Sequence, residues 1–181
     1  MPEYADIYVL GRERNEETVA SFLGEFLPDR VESADEYEMP QHSRSPDRTF
    51  ARAEEVIAHC CAHSHEPYAV YWRDARDGVD EHAMVFFLAD GGVVFGFSTP
   101  AQDDGRVDTI ARRLGMWFGT DRVIVTYEEL PPDSAGAFEA VFDALPHGRA
   151  ASCARATGET RAHRAAMSSD GTPGGGGSSD V

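Results

Sequence analysis

Two apolar segments joined by a short turn constrain the fold of this chain more than any other feature. Residues 83–89 are apolar at every position, and residues 93–98 form a second apolar segment. Asp90, Gly91 and Gly92 separate the two, and these residue types tolerate the positive φ angles of a tight β-turn. The pattern predicts an antiparallel hairpin in which residues 83–89 form a central strand buried on both faces.

Further strands are predicted on either side of this hairpin. Residues 68–73 are aromatic and β-branched, which is typical of a strand. Residues 7–10 form a short apolar run that Gly11 ends, and residues 122–127 alternate between apolar and polar side chains. Together with the hairpin, these segments predict a sheet of about five strands that is mostly antiparallel.

Apolar residues at helical spacing predict four helices. The first begins after the capping residue Asn15 and ends at Pro28, and the third begins after Pro100 and ends at Gly119. The last is capped by Asp133 or Ser134. Apolar faces predict the second and fourth helices. The face of the second consists of Phe50, Ala53, Ile57 and Cys60 or Cys61. The face of the fourth consists of Phe138, Val141, Phe142 and Leu145. Residues 29–48 show no period and predict a long polar loop.

These elements predict an α+β fold. We expect a two-layer sandwich in which the helices cover one face of the sheet. The order strand, helix, helix, three strands, helix, strand, helix is ferredoxin-like, with one extra strand in the meander and an added terminal helix.

The chain divides into a folded domain and a tail. Residues 1–145 carry 29 acidic residues against 12 arginines, a net charge of −17, and we expect them to form a single domain. Residues 146–181 have no hydrophobic period and are rich in Ala, Gly, Ser and Arg. Such a segment buries too little apolar surface to offset the entropy of ordering it, so we expect a disordered tail.

Charge and composition exclude several classes of function. A strongly acidic domain is repelled by nucleic-acid backbones and by anionic membranes, so we expect neither as a partner. All 16 basic residues are arginine, which excludes mechanisms that need a lysine. The three cysteines do not form a disulfide framework, and the first residues do not resemble a secretory signal, so we expect a cytoplasmic protein.

No motif fixes a reaction, a metal or a cofactor. His59, Cys60, Cys61, His63 and His65 form the cluster most like a metal site, because His59 and His63 are one helical turn apart. A second pair of ligands at zinc-site spacing is missing, and histidines near the end of a helix also stabilise its terminal carbonyls. We therefore expect no metal and no cofactor, and we assign no catalytic residue.

The distribution of acidic residues points to a binding surface. A long acidic loop that carries a tyrosine can steer a basic protein by charge and anchor it by the aromatic ring. A solvated surface without a partner is the alternative explanation of such a loop. The predicted partner-binding residues are Asp29, Glu32, Asp35, Glu36, Tyr37 and Glu38 in the loop, and Glu128 and Glu129 beside Pro131–Pro132.

The binding surface accords with a resemblance to a known class of proteins, and two other hypotheses about function remain beside it. A compact acidic α+β domain with Tyr68, Tyr71 and Trp72 on a strand and no catalytic signature resembles the small acidic immunity proteins of bacterial toxin systems. That resemblance implies tight, salt-sensitive binding to a basic cognate toxin. The alternative is a small enzyme or ligand-sensing domain, with a pocket beside the meander lined by Trp72, His82, Phe86, Phe95 and Phe97. A nucleic-acid mimic is a third hypothesis, and it requires a regular stripe of carboxylates.

Overall fold

A computed structural model describes residues 3–102 and 105–145. The tail predicted for residues 146–181 lies outside the described residues. Within the described part, no helix is both long and apolar enough to cross a membrane.

The described residues form one six-stranded sheet, a separate pair of short strands, and four helices. The strands are β1 (Tyr4–Leu10), β2 (Arg30–Glu32), β3 (Tyr37–Met39), β4 (Arg48–Phe50), β5 (Tyr68–Asp74), β6 (His82–Phe87), β7 (Val93–Pro100) and β8 (Val123–Tyr127). The helices are α1 (Glu16–Phe26), α2 (Ala53–Ala62), α3 (Arg106–Phe118) and α4 (Ala135–Ala144). The sheet order is β2-β5-β6-β7-β1-β8, every neighbouring pair is antiparallel, and β3 pairs with β4.

Strand residues alternate between two cores on opposite faces of the sheet. The larger core joins α1, α2 and α3 to residues such as Ile7, Val85 and Phe95. The smaller core contains the alternate residues, among them Tyr8 and Phe86, together with Phe138 of α4. Helices therefore pack on both faces, and α4 covers the face that the other three leave open.

The broad prediction of an α+β sandwich with an antiparallel sheet is confirmed, but three details are wrong. The sheet has six strands rather than about five, because the segment predicted as a loop contributes the edge strand β2 and also forms β3. The prediction of Phe50 in the second helix is wrong, since Phe50 ends β4 and α2 begins at Ala53. The strands β2, β3 and β4 have three residues each, too few to show a period in the sequence. The helices do not share one face, because Phe138 buries α4 on the opposite side.

Local signals define the start of α1, the end of α3, the start of α4 and the hairpin turn as predicted. The Asn15 side chain accepts a hydrogen bond from the Thr18 amide at 2.7 Å, and Ser134 caps α4 in the same way. Gly119 ends α3 with a φ of 63°. Asp90 accepts bonds from the amides of Gly92 (3.0 Å) and Ala135 (2.7 Å), so one carboxylate fixes both the hairpin turn and the start of α4.

The guanidinium of Arg14 joins three separate parts of the chain. It donates to backbone carbonyls at the end of α2 and in the loop beyond it, among them Cys60 (2.9 Å) and Glu66 (2.9 Å). It also donates to the carbonyl of Leu88 (2.8 Å) at the hairpin and lies 5.0 Å from the centre of the Phe87 ring. The full set of carbonyls within reach is Cys60, His63, Ser64, Glu66, Leu88 and Gly92. A planar cation with five donors is thus surrounded by backbone acceptors.

We predict that Arg14→Ala lowers the free energy of unfolding by at least about 3 kcal/mol, because several carbonyls lose their donor at once. Arg12→Ala is the matched control, since Arg12 donates to the carbonyl of Gly119 alone, and we expect a loss within about 1 kcal/mol. Urea denaturation of both variants measures the difference. Similar losses in the two variants would contradict the central role of Arg14.

Candidate partner-binding surface

Four of the predicted acidic residues lie at the β2 edge of the sheet with their carboxylates unpaired. Asp29 precedes β2, Asp35 and Glu36 follow it, and Glu38 lies in β3. Asp29, Asp35 and Glu36 are exposed, and Glu38 is half-buried. None of the four side chains forms an ion pair or a hydrogen bond with the described residues. We call this set the acidic edge.

Glu32 and Tyr37 differ from the acidic edge, because they bond to the protein itself. The Glu32 carboxylate accepts hydrogen bonds from the Tyr37 hydroxyl (2.7 Å) and from the amide of Ala53 (3.0 Å), the first residue of α2. Tyr37 is 3% exposed, and burial is the main reason that the pKa of its hydroxyl is raised. The expectation of an exposed aromatic anchor at Tyr37 is therefore wrong, since the ring belongs to the core.

Glu128 and Glu129 lie far from the acidic edge. They follow β8, which is the other edge strand of the sheet, so five strand spacings of about 4.8 Å put about 24 Å between the two groups. Both side chains are exposed, and Glu128 adopts a φ of 55°. The backbone carbonyl of Glu129 accepts bonds from the Tyr8 hydroxyl (2.9 Å) and from Thr126 (3.1 Å). At a Debye length of about 8 Å, the two acidic groups act on a partner independently.

A groove of about 910 Å³ lies beside the acidic edge. Four prolines line it, and we call it the proline-rimmed groove; they are Pro40, Pro67, Pro131 and Pro132. Its apolar lining includes Met39, Phe86 and Leu88. A smaller pocket of about 350 Å³ adjoins the groove and contains Glu36 and Glu38. Gln41, Tyr68 and Ala69 line both spaces, so the groove and the acidic edge form one continuous surface.

The sequence contains little that predicts this groove. Its lining comes from the β3–β4 connection, the end of α2, the start of β5, the end of β6 and the loop before α4. These segments are far apart along the chain, so no local period links them. The one local signal is Leu130, an apolar residue between acids and prolines that is 73% exposed.

The histidine and cysteine cluster forms contacts within the protein. The His59 and His63 rings stack with centroids 4.1 Å apart, and His59 Nε2 lies 2.7 Å from the Glu66 carboxylate, a contact that lowers the pKa of Glu66. His65 points instead to the carbonyl of Ala89 at 3.3 Å. Cys60 is fully buried, and burial raises the pKa of its thiol to about 12.

The positions of the histidine and cysteine side chains can be compared with the geometry that a metal ion requires. Across residues 3–102 and 105–145, no group of three or more His, Cys, Asp or Glu side chains has a geometry that would hold a metal ion. The stacked histidines follow from their spacing of one helical turn.

The aromatic residues of the enzyme hypothesis do not share a pocket. Trp72, Phe95 and Phe97 face the larger core and are almost fully buried, whereas Phe86 belongs to the smaller core on the opposite face. His82 lies on the same face as Phe86, because it alternates with Ala83 of the larger core. Strand alternation thus separates the five residues and overturns the predicted pocket.

His82 instead belongs to a polar row that crosses the sheet. In the register of the strands, His82 lies opposite Ser98, Ser98 opposite Asp6, and Asp6 opposite Thr126. Asp6 is 9% exposed, and burial raises the pKa of its carboxyl, while hydrogen bonds with Ser98 and with the backbone of Glu128 oppose the shift. A buried carboxyl in this row therefore holds the turn that follows β8.

Comparisons with family models, with curated proteins and with solved structures find no match to this chain. The geometry described above is therefore the basis of the functional inference.

We predict that Glu32→Ala lowers the free energy of unfolding by about 1–2 kcal/mol, because Tyr37 and the first amide of α2 both lose their acceptor. Glu36→Ala is the control, and its effect stays within about 0.5 kcal/mol, since its carboxylate has no partner among the described residues. Thermal and urea denaturation provide the measurement. Equal losses of unfolding free energy in the two variants would show that Glu32 does not stabilise the fold more than Glu36 does.

We predict opposite effects of neutralising Asp6 and Asp80. The folded-state pKa of Asp6 is raised, so ionising Asp6 destabilises the fold as pH rises from the unfolded to the folded pKa. Asp6→Asn is therefore more stable than the wild type at pH 7, and the difference disappears in acid. The pKa of Asp80 is lowered, mainly by the Tyr4 hydroxyl, so Asp80→Asn loses stability at pH 7 and not in acid. Denaturation of both variants between pH 3 and pH 8 measures the signs, and equal signs would contradict the assignment.

Proposed function

We propose that this protein is a non-enzymatic binding module for a basic protein. The observation that carries the proposal is that the positively charged side chains are mostly paired within the protein, whereas a group of negatively charged side chains is not. Most of the arginines in the described residues have internal partners. The carboxylates of the acidic edge form no ion pair or hydrogen bond with those residues, and Asp29 acts on Arg76 only by its charge. A surface with unpaired carboxylates attracts a cationic partner and repels acidic ones.

The arginine contacts support this step. Arg76 pairs with the buried carboxylate of Asp74 at 2.5 Å, and Arg113 pairs with Glu25 at 2.6 Å. Arg122 contacts two acids of α4, and Arg14 binds only backbone carbonyls. These four cations have partners within the domain, and the net charge of residues 1–145 stays strongly negative.

The resemblance to immunity proteins gives the proposal its specific form. In that form, the basic partner is a toxin, and the acidic edge covers its active site or a neighbouring surface. Free thiols at Cys60 and Cys61 are typical of a reducing compartment, so we propose that the binding takes place in the cytoplasm.

The finer description of the fold also belongs to the proposal. In the sheet order, β7 lies between β1 and β6, and β1 lies between β7 and β8. Two interleaved βαβ units of this kind define a ferredoxin-like arrangement, and β5 and β2 extend it at one edge.

We predict that neutralising the acidic edge weakens partner binding at least about tenfold. The full chain is immobilised and used at 50 mM NaCl to capture the partner from a lysate of cells that carry the gene for this chain. The Kd of the purified complex is then measured by calorimetry. The variant combines Asp29→Asn, Asp35→Asn, Glu36→Gln and Glu38→Gln. Four surface pairs at about 0.5 kcal/mol each sum to about 2 kcal/mol, which exceeds the roughly 1.4 kcal/mol of a tenfold change. Coexpression with the product of the adjacent gene tests the toxin form directly, through rescue of growth.

The control neutralises four exposed acids outside the acidic edge, so both variants have the same net charge. Its substitutions are Glu16→Gln, Glu17→Gln, Asp108→Asn and Asp121→Asn. We expect this control to bind within about threefold of the wild type, and 300 mM NaCl to weaken binding of the wild type. Equal losses in the two variants, or the absence of a basic partner, would overturn the proposal.

A further inference from the structure

The proline-rimmed groove has a volume and an apolar lining in the range of ligand-binding pockets. Its volume of about 910 Å³ lies within the usual range for a ligand pocket, about 300–1,000 Å³. Met39 and Phe86 are 6% and 8% exposed, so the apolar lining is packed into the two cores and is already formed. A preformed apolar site loses little entropy when a ligand orders it.

The polar residues of the groove divide into paired and unpaired groups. Glu66 and Arg48 both contact His59, at 2.7 Å and 3.4 Å. Asp47 and Asp133 are exposed, and their side chains have no partner among the described residues. Asp47 lies before β4 and Asp133 before α4, so the two free carboxylates belong to different walls of the groove.

The wall shared with the acidic edge is held by an amide side chain. Gln41 donates to the carbonyl of Ala69 at 2.9 Å and accepts from the Ala69 amide at 2.9 Å. Its side chain thus occupies the edge of β5 as a neighbouring strand would. Gln41 and Ala69 line both the groove and the pocket of Glu36 and Glu38. The carboxylates of these two residues therefore lie on the surface directly beside the groove.

Leu130 provides an exposed apolar contact at the mouth of the groove. It is 73% exposed, and Pro131 and Pro132 follow it directly. Proline fixes the backbone φ, so this side of the groove is stiff. An apolar side chain on stiff backbone above an apolar floor favours an apolar ligand group.

We propose that the proline-rimmed groove binds a short segment of the basic partner in which apolar residues are flanked by arginine or lysine. The apolar residues contact Leu130 and the floor, and the flanking cations reach Asp47, Asp133 and the acidic edge. This inference rests on the proposed function and names the part of the partner that is recognised. Charge complementarity selects this occupant, because the carboxylates of Asp47, Glu66 and Asp133 outnumber the one guanidinium in the lining, that of Arg48.

Two labelled peptides of equal charge test the proposal with the full chain. One has two leucines between pairs of arginines, and the other has serines in place of the leucines. We expect the leucine peptide to bind at least about tenfold more tightly by fluorescence anisotropy, because two buried leucines contribute more than the 1.4 kcal/mol that a factor of ten requires. Equal affinities would overturn the groove proposal, while salt-sensitive binding of both peptides would leave the proposed function intact.

Matched variants locate the apolar contact. Leu130→Ser brings the two peptides to within about threefold of each other and leaves the affinity of the serine peptide unchanged. Met116→Ser is the control, because Met116 is 76% exposed on α3, away from the groove, and we expect the leucine preference to remain. Loss of the preference in Met116→Ser rather than in Leu130→Ser would overturn the proposal. Failure of both peptides to bind at 50 mM NaCl would contradict the proposed function itself.

Two other occupants give different results. If residues 146–181 of the chain itself fill the groove, they compete with the leucine peptide. The full chain with Arg149, Arg155, Arg161 and Arg164 replaced by serine would then bind that peptide at least about tenfold more tightly, and this result would overturn the proposal. An unchanged affinity supports a partner segment. Sedimentation could also reveal a dimer that the Leu130→Ser substitution dissociates. That result would assign the groove to a second copy of the chain and would equally overturn the proposal.

Discussion

The contact on which the rest of the structure depends is the enclosure of the Arg14 guanidinium by backbone carbonyls. Arg14 follows β1, and its acceptors lie at the end of α2, in the loop before β5 and at the β6–β7 turn. A helix end normally leaves carbonyls without donors, and here one side chain from another element supplies them. Because β5 begins two residues after Glu66, the same contact sets where that strand enters the sheet. The floor of the proline-rimmed groove is formed at this junction.

The use of arginine as an internal connector explains why so acidic a domain presents its charge outward. Arg76, Arg113 and Arg122 form salt bridges, whereas the hydrogen bonds of Arg14 go to backbone carbonyls. A lysine in these places would offer one point charge instead of a planar fork, so the contacts favour arginine on geometric grounds. What remains at the surface is a carboxylate excess. The exposed arginines without a partner among the described residues are Arg44, Arg73 and Arg112, so a cationic partner approaches a surface on which free carboxylates outnumber free cations.

How much of this architecture was predictable depends on how local each signal is. The hairpin turn and the caps at Asn15, Ser134 and Gly119 follow from residues adjacent in the chain, and all were predicted. The strands β2, β3 and β4 were missed, since three residues cannot show a period. Tyr37 was assigned to the surface because its burial depends on Glu32 and on the core, not on its neighbours in sequence. The groove was missed for the same reason, as five separated segments form it.

The two parts of the proposed surface meet different physical needs. Carboxylates such as Glu36 act over about a Debye length, so they raise the rate of association but distinguish poorly among cationic proteins. An apolar site acts only on contact, so it lengthens the lifetime of the complex that fits it and leaves others unaffected. Attraction alone would tie an acidic protein to any basic surface in the cell. A specific partner must therefore satisfy the groove beside Leu130 as well as the charges, and the continuity of the groove with the acidic edge lets one short segment do both.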